Sequence, residues 1–123
     1  MRVFGDLEAV IMDLMWDRGE PATVRQIHDR LSPARPLAYT TVMTVMDNLH
    51  TKGHLTREMA GRAWRYEPAM SREEHTAQLM RDALAAADDQ TAALSHFVAG
   101  LGEAQSQALR WLLRRRPHSG GPR

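Results

Sequence analysis

The sequence predicts a mainly α chain with one small β-hairpin, a winged helix-turn-helix followed by a three-helix C-terminal arm. Three observations carry this. Apolar residues recur at helical spacing through most of the chain. Between Gly53 and Pro68 the period switches to the alternation of strands, with Ala60-Gly61 at the tip. Beyond residue 71 the helical segments carry more apolar surface than short connected helices can bury among themselves.

Asp6 can cap a first helix whose stripe is Leu7, Val10, Ile11, Leu14 and Met15, with Gly19 as its stop. Thr23 and Gln26 form a capping box for a second helix, with Val24, Ile27 and Leu31 on its core face. The two prolines of Ser32-Pro33-Ala34-Arg35-Pro36 force extended geometry on their predecessors, so this segment is a turn. The third helix follows, with Val42, Val45, Met46 and Leu49 as its stripe and Lys52-Gly53 as its end.

The other face of the third helix is unusual. Tyr39, Thr40, Thr41, Met43 and Thr44 crowd its N-terminal half, with no charged residue among them. A solvated face normally carries charges, and threonine is a poor helix former. Alone, the stretch fits equally a packed helix that tolerates β-branching and a helix that presents hydroxyls and methyls to DNA base edges.

The flanking segments favour the second reading. Residues 54–59 and 62–67 alternate as hairpin strands, with Trp64 and Tyr66 as expected anchors against the helices. A helix-turn-helix followed by an Arg-bearing hairpin is a winged helix, and Arg57, Arg62 and Arg65 are the cations such a wing offers to phosphates. Taken alone, these arginines also fit a hairpin edge protected by charge against aggregation. Arg25, at the start of the second helix, is a further expected phosphate contact.

Ser71 and Glu74 form a second capping box, opening a helix that carries Thr76, Leu79, Met80, Ala83, Leu84 and Ala87. Asp88-Asp89 is unfavourable at a helix C-terminus and predicts a break. Ala93, Leu94, Phe97, Val98 and Leu101 follow at helical spacing. A last helix carries Ala108, Leu109, Trp111 and Leu112 and ends in Arg114-Arg115-Arg116. The economical cover for Leu79, Met80, Leu84, Leu94, Phe97, Val98, Leu101, Leu109 and Leu112 is a second copy of the chain, a two-fold homodimer suited to a palindromic DNA site. The expected division is residues 1–70 as DNA-binding domain, 71–116 as dimerisation arm and 117–123 as disordered tail.

The totals exclude other classes. The 123 residues, 43% hydrophobic, allow one domain with an appended helical module. The absence of cysteine removes disulfides and thiolate metal sites. No apolar run approaches a membrane span and the N-terminus is not a signal peptide, so a cytoplasmic protein without membrane insertion is expected. Net charge is only +1, but its distribution is uneven, near +3 from Lys52 to Tyr66 and −3 from Met1 to Asp29. No catalytic set, phosphate-binding glycine loop, metal-ligand pattern or cofactor motif appears. Met12, Met15, Met46 and Met80 read as core filler, whereas Met43 lies on the face expected to reach DNA.

At this point the chain resembles the BlaI/MecI family of bacterial repressors, the penicillinase-repressor type. The likeness rests on Gly5-Asp6-Leu7-Glu8-Ala9-Val10, Thr23-Val24-Arg25-Gln26-Ile27-His28 and Ala38-Tyr39-Thr40-Thr41-Val42-Met43-Thr44-Val45. It continues through Lys52-Gly53 and Gly61-Arg62-Ala63-Trp64-Arg65-Tyr66-Glu67-Pro68, and more loosely to about Arg116. The resemblance implies a winged helix with a dimerisation arm. It also implies repression of β-lactamase or related cell-envelope genes from double-stranded operator DNA, with a membrane sensor-protease as partner. Where the family carries a cleaved Asn-Phe bond this chain has His96-Phe97. The copper-sensing branch uses cysteines, which this chain lacks. Two other readings stay open: a winged-helix adaptor whose arginines bind an acidic protein, and a repressor gated by a small molecule.

Overall fold

The computed structural model describes residues 4–31 and 36–116. Most of the expected turn, residues 32–35, and the expected tail, 117–123, lie outside the described residues. The order is α1 (Asp6–Arg18), α2 (Val24–Leu31), α3 (Tyr39–Thr51), β1 (Leu55–Ala60), β2 (Ala63–Pro68), α4 (Arg72–Ala85), α5 (Gln90–Ala99) and α6 (Glu103–Arg115). The chain forms two compact units, residues 1–79 and 80–123.

The first unit is built on α1, α2 and α3. Gly5, not Asp6, caps α1, and its N–H donates to Glu8 Oε1 at 3.0 Å. The Thr23 box forms as expected, with Thr23 N–H donating to Gln26 Oε1 (2.8 Å) and Gln26 N–H to Thr23 Oγ1 (3.2 Å). Val24, Ile27 and Leu31 of α2 and Val42, Met46 and Leu49 of α3 are buried, together with Ile11, Met12 and Met15 of α1. Met80, by contrast, is 54% exposed.

The hairpin is antiparallel, with Leu55 opposite Pro68 and Ala60 opposite Ala63. Its turn is Gly61-Arg62. Gly61 sits at φ +67° while no described non-glycine residue has positive φ, the combination a type II′ turn needs. Tyr66 N–H donates to Ala22 O at 2.8 Å and Ala22 N–H to Tyr66 O at 2.9 Å, so the α1–α2 connection pairs with the hairpin. Tyr66 and Leu55 complete the core. Of the two expected aromatic anchors only Tyr66, 2% exposed, is buried; Trp64, 39% exposed, lies nearer the tip opposite Met59.

The start of α4 belongs to this first unit. Ser71 and Glu74 make the expected box, at 2.8 and 3.0 Å. Arg72 donates to Asp17 at 3.2 Å and Asp13 at 3.4 Å. Phe4 stacks on His75 (4.9 Å between centroids) and meets the edge of His54 (4.8 Å). In the second unit Asp89 caps α5 by accepting from Ala92 N–H at 3.0 Å, which is the use the chain makes of the break at Asp88-Asp89.

The junction around His54 makes the first unit sensitive to acid. Burial, then the neighbouring His75, lowers the His54 pKa below the ordinary 6.5, against a raising influence from Glu8. The native state therefore prefers the neutral ring, and stability falls as pH drops below 6.5 because the unfolded chain takes the proton first. Glu8 acts at lower pH. The hydrogen bond from Lys52, then that from Gly5, holds its carboxyl below 4.5, so its contribution is lost as pH falls through that lowered value. The melting temperature should decline in two acid steps, and His54→Phe should remove the upper one. An unchanged upper step in that variant would assign it to another group.

Candidate nucleic-acid interface

The sequence places the hydroxyl face of α3 opposite its packed stripe, and the fold keeps it there. Val42, Met46 and Leu49 are completely buried, while Tyr39, Thr40, Thr41, Met43 and Thr44 are exposed, Met43 at 43%. Ala38 begins the helix through its carbonyl, which accepts from Thr41 and Val42 N–H groups, so no side chain occupies that end.

The α2 helix supports this face. The Arg25 guanidinium lies 5.7 Å from the Tyr39 ring centroid. The His28 ring meets Tyr39 edge-on at 5.7 Å, and its Nε2 lies 2.8 Å from Leu37 O, so a proton on that nitrogen would tie α2 to the chain entering α3. His28 is a site residue that the sequence pattern does not single out. Its signal is positional: one turn beyond Arg25 on α2, it reaches the segment just before the polar face.

The wing contributes its cations differently. Arg62 is exposed at the turn, and Arg65 is exposed on β2 opposite Glu58. Arg57 is instead held inward. Its Nη1 donates to Asp47 Oδ1 at 2.9 Å and to the Tyr66 hydroxyl at 3.1 Å, and its guanidinium lies 4.3 Å from the Trp64 ring centroid. Lys52 is likewise paired, 2.8 Å from Glu8.

Arg25, Tyr39, Met43 and Arg62 are brought together along one cleft of about 360 Å³, lined also by Thr23, Val24, Ala63, Trp64 and Tyr66. Thr40, Thr41 and Thr44 share the exposed helix face but do not line the cleft, and neither does Arg57 or Arg65. The cleft therefore joins an uncharged, hydroxyl-bearing helix to two cations on separate elements. Such a surface can hold a phosphate backbone at its edges and present donors, acceptors and methyls to base edges. Among the described residues no group of three or more histidines or carboxylates is arranged to hold a metal.

The helices beyond residue 71 present a different surface. None of the α4, α5 and α6 residues is fully buried. Met80, Leu94, Phe97, Val98 and Leu112 are exposed, Phe97 at 48%, whereas Leu79, Leu84, Leu101 and Leu109 are half-buried. His96 and Phe97 both lie within α5 and are exposed on it. No helix among the described residues is long and apolar enough to cross a membrane.

Comparison with known proteins bears on this geometry. The penicillinase repressor family model matches residues 4–115. The transcriptional regulator BlaI of Mycobacterium tuberculosis, in strains CDC 1551 and H37Rv, is 50% identical over 109 residues, covering 86% of this chain and 79% of the relative. In fold, the chain resembles the solution structure of the DNA-binding domain of the repressor BlaI (TM-score 0.52, 22% identity, 58% of this chain and 87% of that one). It also resembles monomeric BlaI of Bacillus licheniformis in complex with the blaP half-operator (TM-score 0.50, 22% identity, 59% and 88%). A winged helix with an uncharged face on α3, matched by that family over nearly its whole length, is thus a DNA-binding transcriptional repressor rather than an enzyme, and the chain belongs to the penicillinase repressor family.

Proposed function

We propose that the chain acts in the cytoplasm as a dimer on a palindromic operator, with residues 1–70 as the DNA reader and 71–116 as the dimerisation arm. The observation that carries this is the uncharged face of α3 flanked across one cleft by Arg25 and Arg62. In this reading α3 enters the major groove and Tyr39, Thr40, Thr41, Met43 and Thr44 meet base edges. Arg25 holds a phosphate beside the N-terminus of α2, and Arg62, with Arg65, contacts the backbone from the wing. The half-operator bound by the monomeric form of B. licheniformis BlaI supports a reader of this kind.

The arm supplies the second half of the proposal. Exposed Met80, Leu94, Phe97, Val98 and Leu112, with half-buried Leu79, Leu84, Leu101 and Leu109, form the surface that a second copy covers. The proposal extends to regulated genes of the β-lactam or envelope-stress type and to a membrane sensor-protease as partner, a reading that membership of the penicillinase repressor family supports. Release by that protease would cut the bond between His96 and Phe97. Because Gly100 N–H bonds to the carbonyls of both residues, α5 must open locally before a protease can take the bond.

Thr44→Ala should cost about 1–3 kcal/mol on the operator and alter base preference, whereas Arg62→Ala should weaken all duplexes alike and flatten the salt slope by about one unit. Titrations on operator and random duplex at several salt concentrations separate the two. Wild-type behaviour of both variants would place the interface elsewhere, as an acidic-protein adaptor requires. Light scattering should give twice 13.9 kDa for the full chain and a monomer for the fragment ending at His96, the fragment expected in induced cells. A monomeric full chain with intact operator binding would remove the dimer and its proteolytic release together.

A further inference from the structure

Arg57 has the charge expected of a DNA-contacting cation of the wing, but its surroundings suit another task. It lies in the middle of β1, directly across from Tyr66. One nitrogen serves both Asp47 on α3 and the Tyr66 hydroxyl on β2, at 2.9 and 3.1 Å. The guanidinium carbon lies over the Trp64 ring, 4.3 Å from its centroid, and 5.8 Å from that of Tyr66. The side chain is only 21% exposed, against 55% for Asp47. A guanidinium holds a carboxylate and a hydroxyl with fixed donors while its flat face rests on a ring; an ammonium has donors but no rigid plane to stack, so it fits the same three partners less well.

We propose that Arg57 is a positioning residue, a brace that fixes the wing against the recognition helix through Asp47, Tyr66 and Trp64, and that it does not bind DNA phosphate. This rests on the reading of α3 and the wing as one DNA interface. Nη1 is committed to Asp47 and Tyr66, so a swing of the side chain out to a phosphate would break both contacts and the one with Trp64. It would also leave the Asp47 carboxylate unpaired on the helix that faces a polyanion, where like charges repel. A reader that touches DNA at two places discriminates between sequences only while the distance between those places is held. The brace supplies that constraint. Asp47 acts through Arg57, and its own charge is neutralised by the same contact.

The test compares Arg57→Ala, Arg57→Lys and Asp47→Asn with Arg62→Ala in the full chain, on operator and random duplex across a salt series. The three brace variants should lose operator-over-random preference by roughly tenfold, the scale of coupled neighbouring residues, with the salt slope unchanged. Arg62→Ala should instead flatten the slope by about one unit and keep the preference. A slope flattened by Arg57→Ala as by Arg62→Ala would overturn the brace, and so would full operator preference in Asp47→Asn. Should Arg57→Ala fail to fold, Asp47→Asn carries the comparison, since Asp47 is exposed and outside the core. Should Thr44→Ala and Arg62→Ala both bind as wild type, the interface reading fails by itself. The brace is then read in the free protein, where Asp47→Asn must shift the Trp64 indole N–H resonance, and an unmoved resonance rejects it.

Discussion

The first unit depends on how Tyr66 is held. Its ring is buried among α1, α2 and α3, its backbone exchanges both hydrogen bonds with Ala22, and its hydroxyl accepts from Arg57. A two-stranded hairpin is marginal in water by itself. Here the hairpin gains a third pairing partner in the α1–α2 connection and an aromatic anchor in the core. Everything beyond Tyr66 toward the tip, including Trp64, Gly61 and Arg62, projects from that fixed point. The wing can stand beside α3 because one residue ties it to the helical core through its ring, to the α1–α2 connection through its backbone and to β1 through its hydroxyl.

The second unit follows the opposite rule. Its caps are well made: Asp89 satisfies α5, and Gln105 Oε1 accepts from Gly102 N–H at 3.1 Å before α6. Yet none of its helical residues is fully buried, and short helices gain most of their stability from packing an apolar face. Under the proposed reading, helices with good local termini and no fully buried residue gain their burial by association. In that case the stability of this half is inseparable from protomer concentration. The proposed dimer is then as much a folding requirement as a DNA-binding one.

Much of this was legible in the sequence because it is periodic or locally capped. The stripes of α2 and α3, the Thr23 and Ser71 boxes, the hairpin and the exposed hydroxyl face of α3 all depend on neighbours within a few positions. What was missed depends on distant partners or on competition between neighbours. Asp6 looks like a cap, but Gly5 takes the role because Glu8 reaches back to its N–H. Trp64 and Tyr66 are equivalent in a strand pattern, and only their distance from the helical body separates an anchor from a half-exposed ring. Arg57 carries the same charge as Arg62, and alternation cannot show that Asp47, ten positions earlier, lies within reach. His28 joins the site through a carbonyl nine residues away.

The same pairings bear on how repression works. With a net charge of +1 the protein has no strong field to draw it to DNA. Two of the cations nearest the reader are engaged internally, Lys52 with Glu8 and Arg57 with Asp47. Under the proposed reading this leaves Arg25, Arg62 and Arg65 as the phosphate contacts of one protomer. Each contact contributes about 0.9 to the salt slope, so the phosphate part of a single reader's grip on DNA is weak. Linking two readers can raise avidity by roughly 10² to 10⁴ without any new contact. Weak individual readers make occupancy depend on the arm, because losing the second reader loses most of the affinity. A module rich in unpaired cations would stay bound as a monomer, and severing the arm would then release nothing.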